Sequence, residues 1–180
     1  MVPEAELEQT DAGLVPKGEG WFILNAREAR WWHAEGRPAL CMFQGEPEFQ
    51  QVGVNLGVLW PGQLMAMYHW EADQEDFLVL AGEALLVVEG EERPLRQWDF
   101  VHCPPETKHT ILGAGTGPCV VLAIGARDRS TGPGWGGYSV DETALEHGAG
   151  VEEETSDATV AYGRFTQRSP TAYGEGWLPG

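Results

Sequence analysis

Apolar residues in this chain come in short clusters separated by Gly, Pro and Glu, not in the i, i+3, i+4 spacing of long amphipathic helices. Trp21-Phe22-Ile23-Leu24, residues 39–43 and residues 52–59 are the first such pieces. A denser run follows, with apolar segments at 64–70, 77–81, 85–88, 99–103, 109–112 and 119–124. Gly82-Glu83, Glu89-Gly90-Glu91, Pro104-Pro105 and Gly113-Ala114-Gly115 punctuate it as turns. The pattern predicts an all-β barrel or sandwich over residues 21–125. Residues 1–20 are acidic and weakly periodic, and are expected to form a mobile arm.

After Gly125 the alternation stops. The run Gly132 to Gly137 reads as a turn, because Pro133 and Trp135 interrupt it and no Lys-Ser/Thr ending makes it a phosphate loop. Two short helices are expected in the extension 126–180. Ser139 with Glu142 forms a capping box closed by Gly148, and Ser156 caps a turn or two through Tyr162. Phe165, Tyr173 and Trp177 lie in an irregular tail.

With 180 residues, 42% of them hydrophobic, the chain can bury one core and is short for two. Eleven Lys and Arg against 28 Asp and Glu give a net charge of −17, which repels phosphate backbones and anionic lipid. Nucleic acid and membrane are therefore not expected partners. Met1 to Glu6 lacks the basic start of a secretory signal, and no apolar run approaches the roughly 18 residues of a span, so a soluble, cytoplasmic protein is expected. Cys41, Cys103 and Cys119 are odd in number and far apart, which predicts reduced, buried thiols.

The chemistry-bearing stretch is 61–71. Alternation along a strand places Met65, Met67, His69 and Glu71 on one side, and Leu64, Ala66, Tyr68 and Trp70 on the other. Glu75 opens the next strand with Phe77, Val79 and Ala81 on its face, and a carboxylate at an apolar interior needs a partner or a metal.

This stretch resembles the first cupin motif, usually Gly, five residues, His-x-His, three or four residues, Glu, six residues, Gly. Here it reads Gly62, six residues, His69-Trp70-Glu71, three residues, Glu75, six residues, Gly82. One residue is added after Gly62, and Glu71 replaces the second histidine. The second motif appears as Trp98, five residues, Pro104-Pro105-Glu106, two residues, His109, three residues, Gly113, with Trp98 and Glu106 at its glycine positions and Gly113 at its asparagine.

The resemblance implies a double-stranded β-helix, or jelly-roll, cupin barrel with short C-terminal helices. It implies one divalent metal, Fe²⁺, Mn²⁺ or Zn²⁺, held by His69, Glu75 and His109, with Glu71 as a fourth ligand or as a general base. Met65, Met67 and Phe77 would line the cavity. The implied function is that of a dioxygenase or a Lewis-acid isomerase or lyase acting on a small molecule, the alternative being a non-catalytic binding or sensing barrel. Cupin barrels commonly pair, so a homodimer covering the outward Leu64, Tyr68, Trp70, Leu78 and Leu80 is expected. The aromatic tail folded back is the other cover. His102 and its neighbour Cys103 point to opposite strand faces and are read as structural, and His33 and His147 are assigned no role.

Overall fold

The computed structural model describes residues 1–129 and 133–180. In chain order its strands are β1 (Glu6–Thr10), β2 (Gly13–Lys17), β3 (Trp31–His33), β4 (Ala39–Met42), β5 (Val52–Leu59), β6 (His69–Glu71), β7 (Glu75–Ala81), β8 (Glu83–Val88), β9 (Glu91–Arg96), β10 (Phe100–Cys103), β11 (His109–Ala114), β12 (Cys119–Ala126), β13 (Gly136–Tyr138) and β14 (Ser169–Thr171). Two helices, α1 (Glu142–Glu146) and α2 (Ala158–Ala161), lie between β13 and β14. Strands hold 44% of the residues and helices 5%, so the protein is all-β.

A seven-stranded sheet in the order β10-β7-β12-β5-β4-β3-β14 faces a five-stranded sheet in the order β13-β6-β11-β8-β9. Every pairing between these strands is antiparallel. This is the expected double-stranded β-helix. Inward residues of both sheets, among them Leu59, Phe77, Val79, Leu86, Ile111 and Val121, form the core between them. The chain itself covers part of each outward face, while Phe100 on β10 and the neighbouring Trp98 stay exposed. Tyr68 is buried with Val87, Leu112, Ala144 and Ala149, so the segment around α1 closes over the five-stranded sheet. Tyr173, Trp177 and Leu178 return to Trp31 on the outside of the larger sheet, where Leu80 also packs. Trp177 meets Trp31 and Trp60 at ring separations of 5.2 and 6.2 Å. Trp177→Ala is therefore expected to cost about 2 kcal/mol of stability, less than a fully buried Trp because its ring is only partly covered. A urea midpoint unchanged from the wild type would show that the tail is not holding the barrel.

Several expectations are corrected. Residues 1–20 form no loose arm. β1 and β2 make a hairpin joined through Thr10 and Gly13, and Leu14 exchanges backbone hydrogen bonds with Glu28 and Arg30. Gly13 has φ +115°, and a Cβ there would lie 2.6 Å from the Ala29 carbonyl oxygen, so only glycine lets the hairpin dock this closely. Residues 21–24 are not a strand, and Trp21 and Ile23 are exposed; the buried tryptophan of this region is Trp31 in β3. The strand expected over 64–70 shrinks to His69–Glu71. α1 is capped by Asp141, whose side chain accepts from the Ala144 amide at 2.8 Å, and not by Ser139, which lies buried directly after β13. Likewise Asp157, not Ser156, caps α2. The glycine-rich run begins at Gly132, outside the described residues, while Gly136 and Gly137 belong to β13.

Trp98 and Glu106, at glycine positions of the resembled motif, keep the left-handed backbone such positions call for, with φ +76° and +71°. The Glu106 amide donates to the Glu71 carbonyl at 2.7 Å, tying the two motifs together. All three cysteines are free and buried, and burial pushes the thiols of Cys41 and Cys103 up to about 12 and that of Cys119 up to about 11. Among the described residues no helix is long and apolar enough to cross a membrane.

Candidate metal centre

Three strand starts converge on one point inside the barrel. β6 begins at His69, β7 at Glu75 after the turn 72–74, and β11 at His109, which is register-paired with His69. The two imidazole rings lie 5.0 Å apart. His69 and His109 are 7% and 2% exposed, so their polar atoms have little recourse to water.

Each ring is fixed through Nδ1. His69 Nδ1 lies 2.8 Å from the Met67 carbonyl oxygen and His109 Nδ1 lies 3.0 Å from that of Thr107. A carbonyl only accepts, so both Nδ1 atoms carry a proton and both Nε2 atoms point inward. Glu75 Oε2 is 3.5 Å from His69 Nε2 and 3.4 Å from His109 Nε2. Glu75 Oε2 and His109 Nε2 are buried without a hydrogen-bond partner, a costly arrangement in a packed interior. A divalent ion held by His69, Glu75 and His109 would satisfy it. Donors bound at about 2.0–2.1 Å to one tetrahedral ion lie about 3.4 Å apart, so these three residues fit such an ion with little rearrangement. Their ligand atoms all fall within 4.8 Å of one another, the one such group among the described residues.

Electrostatics agree with a cation-demanding centre. Burial disfavours charge on His69, yet Glu71 and Glu75 outweigh it and raise its pKa well above the ordinary imidazole value. Burial opposes ionisation of Glu75, but contact with His69 and the charge of His109 hold its carboxyl below the usual range. His109 is pushed down, first by burial and then by His69. A proton on His69 thus supplies in part the positive charge that an ion would bring.

Glu71 shares the face of His69, with Oε1 3.7 Å from its Nε2, and lines the same cavity without joining the three-residue group. That cavity has a volume of about 230 Å³. Met65, Phe77 and Ile111 give it apolar lining, and Tyr138 and Tyr162 line it as well. Met67 does not line it. Because the chain is irregular before His69, alternation fails there, and Met67 is buried with Tyr138 and Ala161 instead.

Tyr138, Tyr162 and Asn55 are cavity residues that the sequence reading did not single out. Tyr162 accepts a hydrogen bond from the Met67 amide at 3.0 Å, which locks the segment preceding His69. Burial, then Tyr162 and Glu71, push the Tyr138 phenol upward, so it stays protonated. The only sequence signal of the two tyrosines was aromatic character in the extension beyond the barrel, and Asn55 gave none. The remaining histidines lie elsewhere. His102 pairs with Asp76 at 2.7 Å on the exposed face, opposite buried Cys103; His147 meets Glu92 at 2.6 Å; His33 sits 5.5 Å from the Trp177 ring.

The family model described as a cupin domain matches residues 55–125 and so spans all three converging residues. Residues 55–125 form a cupin domain. Among solved structures the chain is similar to a protein of Acidithiobacillus ferrooxidans provisionally named a sugar phosphate isomerase, at 33% identity over 43% of this chain and 51% of that one, with a TM-score of 0.42. It is similar to a cupin-superfamily sugar phosphate isomerase of Silicibacter pomeroyi at 24% identity, 58% and 63% coverage and a TM-score of 0.46. The chain thus spans less than two thirds of either protein. The polyketide cyclase RemF of Streptomyces resistomycificus matches at 11% identity over 60% of this chain and 80% of that one, TM-score 0.52, a likeness of fold. No curated protein matches the sequence. Within the cupin domain, two imidazoles and a carboxylate form a set that could hold a divalent metal and leave positions open for a ligand.

Proposed function

We propose that the protein is a mononuclear divalent-metal enzyme that shifts a proton on a small oxygen-bearing molecule, as an isomerase or lyase does. His69, Glu75 and His109 hold the ion and Glu71 moves the proton. The observation that carries this reading is the orphaned pair Glu75 Oε2 and His109 Nε2 with a second carboxylate beside it in the same cavity. A bound divalent ion supplies the charge that polarises a substrate carbonyl or hydroxyl oxygen and acidifies its neighbouring C–H. Glu71 Oε1 accepts that proton and returns it at another atom. Tyr138, protonated and on the cavity wall, donates a hydrogen bond to substrate oxygen. Met65, Phe77 and Ile111 keep water from competing for the proton.

The two-histidine, one-carboxylate set also favours a second reading, an iron-dependent dioxygenase. Deuterium incorporation separates the two. With Mn²⁺- or Zn²⁺-loaded protein and a panel of small hydroxy-ketones and hydroxy-acids in D₂O, the isomerase or lyase washes solvent deuterium into carbon positions visible by NMR. Oxygen uptake by iron-loaded protein without such exchange supports the dioxygenase and overturns the proposal. For a substrate so found, Glu71→Gln is expected to lower turnover by about 10²–10⁴-fold with metal content retained. Loss of metal from that variant would make Glu71 a ligand instead of the base.

A further inference from the structure

Outside the metal centre a wider vestibule of about 410 Å³ continues the cavity, sharing Asn55, Glu71, Glu75 and Ala123 with it. Its other walls include Glu48, Gln50 and Arg127, and among the described residues Arg127 is the one arginine or lysine lining either space. In a chain of net charge −17, a guanidinium at the entrance of a carboxylate-bearing cavity calls for a reason.

Arg127 is built into place. It follows β12, and its side chain is only 21% exposed. Nη1 donates to Gln44 Oε1 at 2.9 Å and to the Phe49 carbonyl at 2.7 Å, and Gln44 is itself buried. The carboxylate nearest the guanidinium, on Glu48, is 70% exposed and lies 3.7 Å from the same Nη1. Among the described residues nothing accepts a hydrogen bond from Nε or Nη2, the edge whose two parallel N–H groups match the oxygens of a carboxylate or phosphate.

The sheet under that edge is cut away. Gly53 of β5 and Gly125 of β12 are direct cross-strand partners, a pairing that forfeits side-chain packing in mid-sheet. A Cβ on Gly53 would lie 2.9 Å from Arg127 Nη2 and 3.0 Å from Nε, and one on Gly125 would lie 3.8 Å from the Glu75 side chain. The glycine pair therefore makes a floor running from the guanidinium edge to the metal-centre carboxylate.

We infer that Arg127 is an anion-binding subsite, and that the molecule taken by the cavity carries a carboxylate or phosphate which docks on its Nε–Nη2 edge while its oxygen-bearing end reaches Glu71 and Glu75. That the anion belongs to a substrate rests on the metal-enzyme reading above; the subsite itself does not.

The test is calorimetric titration of the full chain with malonate and with inorganic phosphate, each with and without one equivalent of Mn²⁺. At least one anion binds without added metal, and Arg127→Met weakens it by about tenfold or more, the cost of losing a charged, paired hydrogen bond. Whichever anion binds tighter names the group recognised. Arg127→Lys keeps the charge but not the fork and falls between the two. Since Arg127 also holds Gln44 and the Phe49 carbonyl, Gly53→Ala is the second variant: its Cβ displaces the edge at unchanged charge and weakens the same anion. Wild-type affinity in Arg127→Met, or in Gly53→Ala should the first variant fail to fold, overturns the subsite. Binding that requires Mn²⁺ and ignores Arg127 also overturns it, while leaving the metal centre standing.

Discussion

His109→Ala is expected to strip the protein of bound divalent metal, lowering affinity by more than about 100-fold, since even outer partners of metal ligands typically cost 10–100-fold. His109 opens β11 with its Nε2 turned to Glu75 and nothing else to bond. Alanine leaves one imidazole and one buried carboxylate, too few donors to replace the water an ion gives up. A 100-fold loss is about 2.7 kcal/mol, or roughly 5–10 °C of metal-dependent melting temperature for a domain of this size. Elemental analysis of protein purified without chelator, with melting curves at fixed metal concentration, measures both. His102→Ala is the control, because that ring lies outside the barrel against Asp76 and half in water, and its removal leaves metal content unchanged. Wild-type stoichiometry in His109→Ala would remove this residue from the site, and with it the three-donor centre.

The parts of this architecture that could be read from the sequence are those in which a strand alternates regularly and both neighbours are strands. β7, β8, β11 and β12 have apolar residues toward the core at every second position or buried throughout, and their turns carry Gly or Pro. β9, Glu-Glu-Arg-Pro-Leu-Arg, carries almost no such signal because it is an edge strand that buries only Leu95. Its Pro94 is tolerated there, where no outer neighbour needs the missing N–H. The spacing of His69, Glu75 and His109 survives in one dimension because each sits at the first residue of a strand. Met67 does not follow the same logic, since the irregular backbone before β6 resets the parity on which alternation depends. Tyr138, Tyr162 and Arg127 reach the cavity only through the path of the chain beyond the barrel or at its last strand, a tertiary fact that no local spacing encodes. Gly53 and Gly125 did leave a trace, as glycines inside otherwise regular strands, but their opposition across β5 and β12 needs the register to be seen.

Raising pH from about 5.5 to 8 is expected to strengthen metal binding while weakening the ion-free protein, because the same proton serves both. In the ion-free chain His69 has a raised pKa, so its contribution to stability is fully present below the unfolded value of about 6.5 and is lost as pH climbs through the folded one. Glu75 has a lowered pKa, so its contribution is present above about 4.3 and is lost as pH falls through its folded value. Both are complete between about 4.3 and 6.5. His109, pushed down, works the other way and takes stability from the acid side of that window, since its unfolded form binds the proton more readily. A divalent ion must displace the His69 proton to reach Nε2, and this exchange becomes easier as protons become scarcer. Affinity should therefore rise by up to about tenfold per pH unit while His69 remains protonated in the ion-free form. Melting curves at half-unit pH intervals, with and without saturating Mn²⁺ or Zn²⁺, read this as a metal-dependent shift that is small at the acid end and widens steadily toward pH 8. Glu71→Gln removes one of the two carboxylates that raise His69, so in that variant the widening should end at a lower pH. A shift of constant size across the range would mean that no proton leaves on metal binding, and that the ion does not sit on His69.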